Sequence, residues 1–110
     1  MGATLLVNLT NDAWFGRSVA SRQHNLIASF RAIENRRFLL RSTNSGLTAI
    51  IDPTGKTIEE LPIFTTTSLS KTIGLLNQQT IFGKFATNRI WWLFYAYAII
   101  CLLYKLGKKL

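Results

Sequence analysis

The sequence predicts a mixed α/β segment followed by one C-terminal transmembrane helix, and three observations carry that expectation. Short β-rich runs, among them TLLVNLT at Thr4–Thr10, alternate with a helical pattern starting near Ser21. The turn formers Asn44-Ser45-Gly46 and Asp52-Pro53-Thr54-Gly55 punctuate the middle of the chain. Ile90–Tyr104, IWWLFYAYAIICLLY, is fifteen residues without a charge.

Taken in order, Thr4–Thr10 has the apolar character of a buried strand. Asn11, Asp12 and Gly16 mark a loop around Ala13, Trp14 and Phe15. Ser21 is the expected N-cap of a helix to about Phe38, on which Leu26, Phe30 and Ile33, widened by Ile27, form the stripe expected to pack inward. Strands are expected at Leu39–Thr43, at Leu47–Ile51 and around Phe64–Ile73, where Thr65, Thr66 and Thr67 supply β-branching. Glu59 and Glu60 read as surface loop residues, and 74–88 as a connector without clear period. The expected organisation is a partial α/β domain over 1–73, the connector 74–88, a transmembrane helix over 89–106 and a basic tail over 107–110.

At about 1.5 Å per residue the charge-free run spans roughly 22 Å, short of a hydrocarbon core of about 30 Å. Arg89 and Lys105 are expected to snorkel outward, and Trp91, Trp92 and Tyr104 to anchor the two interfaces. The lysines after the run, Lys105, Lys108 and Lys109, slightly outnumber Lys84 and Arg89 before it and place the C-terminus in the cytoplasm. MGATLLVNLT has no basic region and too short an apolar run for a signal peptide, so poor export of the head is expected.

Composition excludes several functions. The net charge of +8 is spread along the chain, and no stretch interleaves cations with aromatics, so nucleic-acid binding is not expected and anionic lipid headgroups are the natural counter-charge. One cysteine, Cys101, and one histidine, His24, rule out a disulfide and a Cys- or His-based metal cluster, and no cofactor is expected. His24 reads as a helix-start residue hydrogen-bonded to the neighbouring loop, and Arg41 and Asn44 as buried braces of the same loop. Glu34 with Arg31 or Arg37 makes helix-spaced pairs on a solvated face.

Five motifs in register carry a resemblance: Asn11-Asp12-Ala13-Trp14-Phe15-Gly16; Gln23-His24; Arg31 to Arg37 (RAIENRR); Leu40 to Gly46 (LRSTNSG); and Ile51-Asp52-Pro53-Thr54-Gly55. In this order and spacing they are similar to the C-terminal part of bacterial apolipoprotein N-acyltransferases, a nitrilase-like, carbon–nitrogen hydrolase family set among membrane helices. The resemblance implies the C-terminal portion of a nitrilase-like αββα sandwich at the bacterial inner membrane. It also implies acyl transfer from a membrane phospholipid to the N-terminal amine of a diacylated lipoprotein. In that family a cysteine thiolate attacks the ester, a glutamate is the general base and a lysine stabilises the oxyanion.

That family places all three groups upstream of the strand matching Thr4–Thr10, so no catalytic residue is expected in this chain. Cys101 matches no nucleophile elbow, and in hydrocarbon its thiolate is strongly disfavoured. The resemblance makes Asn11, Trp14 and Phe15 the expected lining of the acyl pocket, although aromatics beside a glycine also serve as core plugs. Three readings follow: an inactive remnant, one half of a split enzyme whose upstream half carries the triad, or a small membrane-anchored binding or structural protein. Open sheet edges point to missing upstream material as the expectation.

Overall fold

The computed structural model describes residues 2–85 and 89–108, with the side chains of 85, 89 and 90 excepted. It falls into two compact units, residues 1–80 and 81–110.

The first unit is a four-stranded sheet with one helix on it. The strands are β1 (Leu6–Thr10), β2 (Leu39–Thr43), β3 (Ala49–Ile51) and β4 (Thr57–Glu60), in that spatial order. β1 and β2 run parallel, Leu6 opposite Leu39 and Thr10 opposite Thr43, which requires a long crossover. Helix α1 (Ala20–Asn35) supplies it. The remaining pairs are antiparallel, with a bulge between Ile50 and Ile51 where β3 meets β4. The β3–β4 turn is built on Asp52, whose Oδ1 accepts from the Thr54 N–H at 2.7 Å, the Thr54 hydroxyl at 2.6 Å and the Lys56 N–H at 3.1 Å. Gly55 there has φ +85°, and a Cβ on it would lie 2.6 Å from Ile33 Cδ1, so glycine is required on two counts.

The face that α1 presents to the sheet differs from the expected stripe. Ser21, Asn25, Ala28, Ser29 and Ala32 are its buried residues. Leu26, Ile27, Phe30 and Ile33 point outward, 38–61% exposed. Ala28 and Ala32 pack on Leu39, Ala49 and Ile51, with Leu6 at the margin. Small side chains let the helix axis come close to the sheet, and removing the fully covered Ile51 from water contributes about 2 kcal/mol.

The ends of α1 are also corrected. Val19, not Ser21, is the N-cap and makes no side-chain capping bond, so Ser21 lies inside the helix. The helix stops at Arg36, which takes the left-handed conformation (φ 50°, ψ 50°). The Arg37 N–H then reaches the Ala32 carbonyl and the Arg36 N–H the Ile33 carbonyl, the pairing of a Schellman end.

No strand forms over Phe64–Ile73. Phe64 has φ +60°, its N–H bonded to the Ser45 carbonyl and its ring under the Arg17 guanidinium at 4.9 Å, a geometry that no strand continues through. Glu59 and Glu60, expected in a loop, lie on β4 instead.

The second unit contains α2 (Ile81–Phe85) and α3 (Arg89–Gly107). Part of the expected connector thus becomes the short α2, while residues 86–88 lie outside the described residues. The helix expected over 89–106 is present, but among the described residues no helix is long and apolar enough to cross a membrane. The physical reason is the short charge-free run, about 22 Å against a core of about 30 Å. Its apolar circumference is nonetheless open, with Trp91, Trp92, Leu93, Tyr104 and Leu106 all more than half exposed. Of the other expected anchors, Lys105 lies in the last turn of α3, whereas the Arg89 side chain lies outside what is described.

Candidate functional site

β1 ends at Thr10 and the chain turns at once into a 3-10 turn, Ala13–Phe15, that closes at Gly16. Asn11 Oδ1 accepts from the Ala13 N–H at 3.0 Å, an Asx turn, and the Phe15 N–H reaches the Asp12 carbonyl at 3.1 Å. Gly16 sits at φ +54°. The outcome is a short loop that carries Trp14 and Phe15. Trp14 is 88% exposed and Phe15 is partly exposed.

Beneath this loop is a charged pair withdrawn from water. Asp12 Oδ2 accepts from Arg41 Nη2 at 2.8 Å, and neither side chain has any exposed surface. Asp12 Oδ1 lies 2.9 Å from His24 Nδ1. Arg41 Nη2 also lies 3.1 Å from that nitrogen, so the two contacts compete. A carboxylate is the stronger partner and arginine has no acceptor, so the network assigns the Nδ1 proton to the bond with Asp12. Arg41 Nη1 donates to Asn8 Oδ1 at 3.2 Å, and the Asp12 N–H donates to Asn44 Oδ1 at 3.1 Å. Asn44 Nδ2 returns to Asn11 Oδ1 at 2.8 Å. Phe15 meets the His24 ring edge-on, centroids 5.6 Å apart.

Three elements therefore fix one loop. β2 supplies Arg41, the first turns of α1 supply His24, and the turn after β2 supplies Asn44. Gly46 completes the clamp by absence of a side chain, since a Cβ there would lie 2.2 Å from Asp12 Oδ2. A cavity of about 560 Å³ borders the same turn on the other side of the sheet, with Val7, Leu40, Ile50, Leu61 and Leu69 in its wall. Among the described residues no group of three or more His, Cys, Asp or Glu side chains gathers as a metal ion would need.

With this geometry in hand, the profile of the carbon-nitrogen hydrolase family matches residues 1–78, nearly all of the sheet-and-helix unit. The chain belongs to the carbon-nitrogen hydrolase family. Its relatives within that family include an apolipoprotein N-acyltransferase of Nitrosomonas europaea, 44% identical over 106 residues, covering 96% of this chain and 20% of that protein. A second, from Haemophilus ducreyi, is 39% identical over 97% of this chain and 20% of the relative. A third, from Shewanella oneidensis, is 49% identical over 76% of this chain and 16% of the relative. The chain thus spans about a fifth of the length of the curated relatives it matches.

Within this carbon-nitrogen hydrolase unit the residues expected to brace the loop do so. His24 meets Asp12, while Arg41 and Asn44 are hydrogen-bonded into the loop. Asn11, Trp14 and Phe15 share the loop, with Asn11 holding its backbone and the aromatics on its rim. Sequence reasoning missed Asp12 as the centre, treating it only as a turn residue. The available signal was a carboxylate in a loop with an arginine two residues into a β-run, a pairing that buried charges require. Glu34 pairs with Arg31 at 2.9 Å in i,i+3 spacing, as the helix pattern indicated. Cys101 lies on α3 and is exposed, in the other unit from this loop.

Proposed function

We propose that this chain forms the loop-bearing wall of an acyl-binding pocket in apolipoprotein N-acyl transfer, and does not supply the nucleophile. The donor is a membrane phospholipid and the acceptor the N-terminal amine of a diacylated lipoprotein. One observation carries the reading: a tryptophan 88% exposed stands on a loop whose base is a fully buried Asp12–Arg41 pair. A large aromatic held out by a rigid support is a surface prepared to meet an apolar partner. Asn11, Trp14 and Phe15 line that pocket, and the family membership and the named relatives support this assignment.

The thiolate, the general base and the oxyanion-stabilising lysine come from a polypeptide segment that completes the sheet beside β1, in the same or a separate chain. We place the assembly at the bacterial inner membrane, with the apolar surface of α3 in contact with lipid acyl chains.

The test is photocrosslinking. The chain is co-expressed with a polypeptide carrying the triad, and a phospholipid bearing a diazirine in its acyl chain is added. Crosslinks are expected at Trp14 and Phe15, and Trp14→Ala is expected to reduce both crosslinking and acyl transfer. Undiminished transfer in Trp14→Ala, with no adduct between residues 11 and 16, would refute the proposal.

A further inference from the structure

We propose that the cleft between the first turn of α1 and the segment after β4 binds a phosphate group, independently of the acyl-pocket reading. α1 starts with no acidic residue in its first turn, and the Ser18 hydroxyl, which accepts from the Ala20 N–H at 3.3 Å, brings no charge to it. The partial positive charge of its N-terminus is therefore not offset by an acidic side chain of its own first turn. Beside that turn is a cavity of about 310 Å³ lined by Arg17, Ser18, Ser21, Arg22 and Glu60, with Leu47 and Pro62 as apolar wall.

Ser21 marks the cavity as a site. The residue lines the cavity and is 1% exposed, and its hydroxyl has no hydrogen-bond partner among the described residues. A buried hydroxyl without a partner costs about 1–3 kcal/mol, a cost that a ligand oxygen in the cavity removes. The chemistry of the wall selects the ligand. The wall carries two arginines and a serine, donor-bearing side chains that suit the several oxygens of a phosphate.

Glu60 opposes an anion, yet its hold on Arg22 is weak. The two are 3.9 Å apart, with side chains 42% and 73% exposed, so Arg22 is released at little cost. The ligand is a phosphate either free in solution or as the headgroup of a phospholipid, and the two arms of one experiment separate them.

The ¹⁵N-labelled full chain is placed in maltoside micelles and titrated with inorganic phosphate, following the Ser21 and Arg22 amides. In parallel it is placed in nanodiscs of a phosphate-free glycolipid, with and without phosphatidylglycerol. Saturable shifts at both amides are expected. Shifts with inorganic phosphate assign a soluble source, and shifts only with phosphatidylglycerol assign the headgroup. Ser21→Ala is expected to weaken binding about tenfold. Arg22→Ala is expected to weaken it about threefold and Glu60→Gln to tighten it about threefold. Arg36→Gln, an exposed cation outside the cleft, should leave affinity unchanged. No saturable shift in either arm, undiminished affinity in Ser21→Ala, or equal losses in Arg36→Gln and Arg22→Ala would overturn the proposal.

Discussion

Replacing Arg41 by methionine probes the clamp under the Trp14 loop at its most sensitive point. The substitution keeps most of the side-chain volume and removes the charge, leaving the Asp12 carboxylate with no exposed surface and only His24 and the Asn44-bonded backbone beside it. Breaking a buried ion pair from one side costs about 3–5 kcal/mol, because the remaining charge is uncompensated. A unit of some eighty residues has a total stability of roughly 4–12 kcal/mol, so Arg41→Met removes a large part of it. Asp12→Leu alone leaves Arg41 buried and unpaired at a similar cost. The double variant Asp12→Leu with Arg41→Met removes both charges and should recover much of the loss, giving a coupling of about 2 kcal/mol or more. The assay is urea denaturation of the chain in micelles, with hydrogen exchange of the Phe15 amide reporting the loop. A loss below about 1 kcal/mol for Arg41→Met, with Phe15 protection unchanged, would refute the reasoning.

Further outcomes follow from single positions. Gly46→Ala places a methyl on the Asp12 carboxylate and is expected to destabilise by about 1–3 kcal/mol, measured by the same denaturation. Gly55→Ala is expected to cost at least about 1–2 kcal/mol from its left-handed backbone alone, and Ile33→Ala in the same chain should relieve only the added steric part. The Asp52 carboxyl feels burial pushing it up, outweighed by the hydrogen bonds from Thr54 and Lys56 and the Lys56 charge, so it is held below its ordinary value. A lowered folded-state value means that this contribution is complete above the unfolded-state value and lost as pH falls through the folded one. Thermal melts should therefore lose stability below about pH 4, and Asp52→Asn should flatten that part of the profile.

The sequence made β1, β2 and β3 legible because apolar, β-branched runs bounded by turn residues leave few alternatives. Helix α1 was legible in existence and not in orientation. Leu26, Phe30 and Ile33 do share a face, but close packing on the sheet selects Ala28 and Ala32, and the buried polar network selects Ser21, Asn25 and Ser29. A pattern that scores apolar residues cannot see that the small side was the inner one. Thr65–Thr67 have strand propensity without a strand, because pairing depends on an available edge and Phe64 has already turned the chain. Thr57–Glu60 carried too many charges to read as a strand, although its edge position accommodates them. In the candidate site, the bracing roles of His24, Arg41 and Asn44 were legible from motif order. The burial of Asp12 was not, since a loop carboxylate ordinarily signals solvent.

The most direct measurement is intact mass of the purified chain after incubation with phospholipid in detergent, with and without hydroxylamine. A wall that lacks the nucleophile predicts an unchanged mass, in the native chain and in Cys101→Ser alike. A hydroxylamine-labile acyl adduct on the chain alone would contradict it.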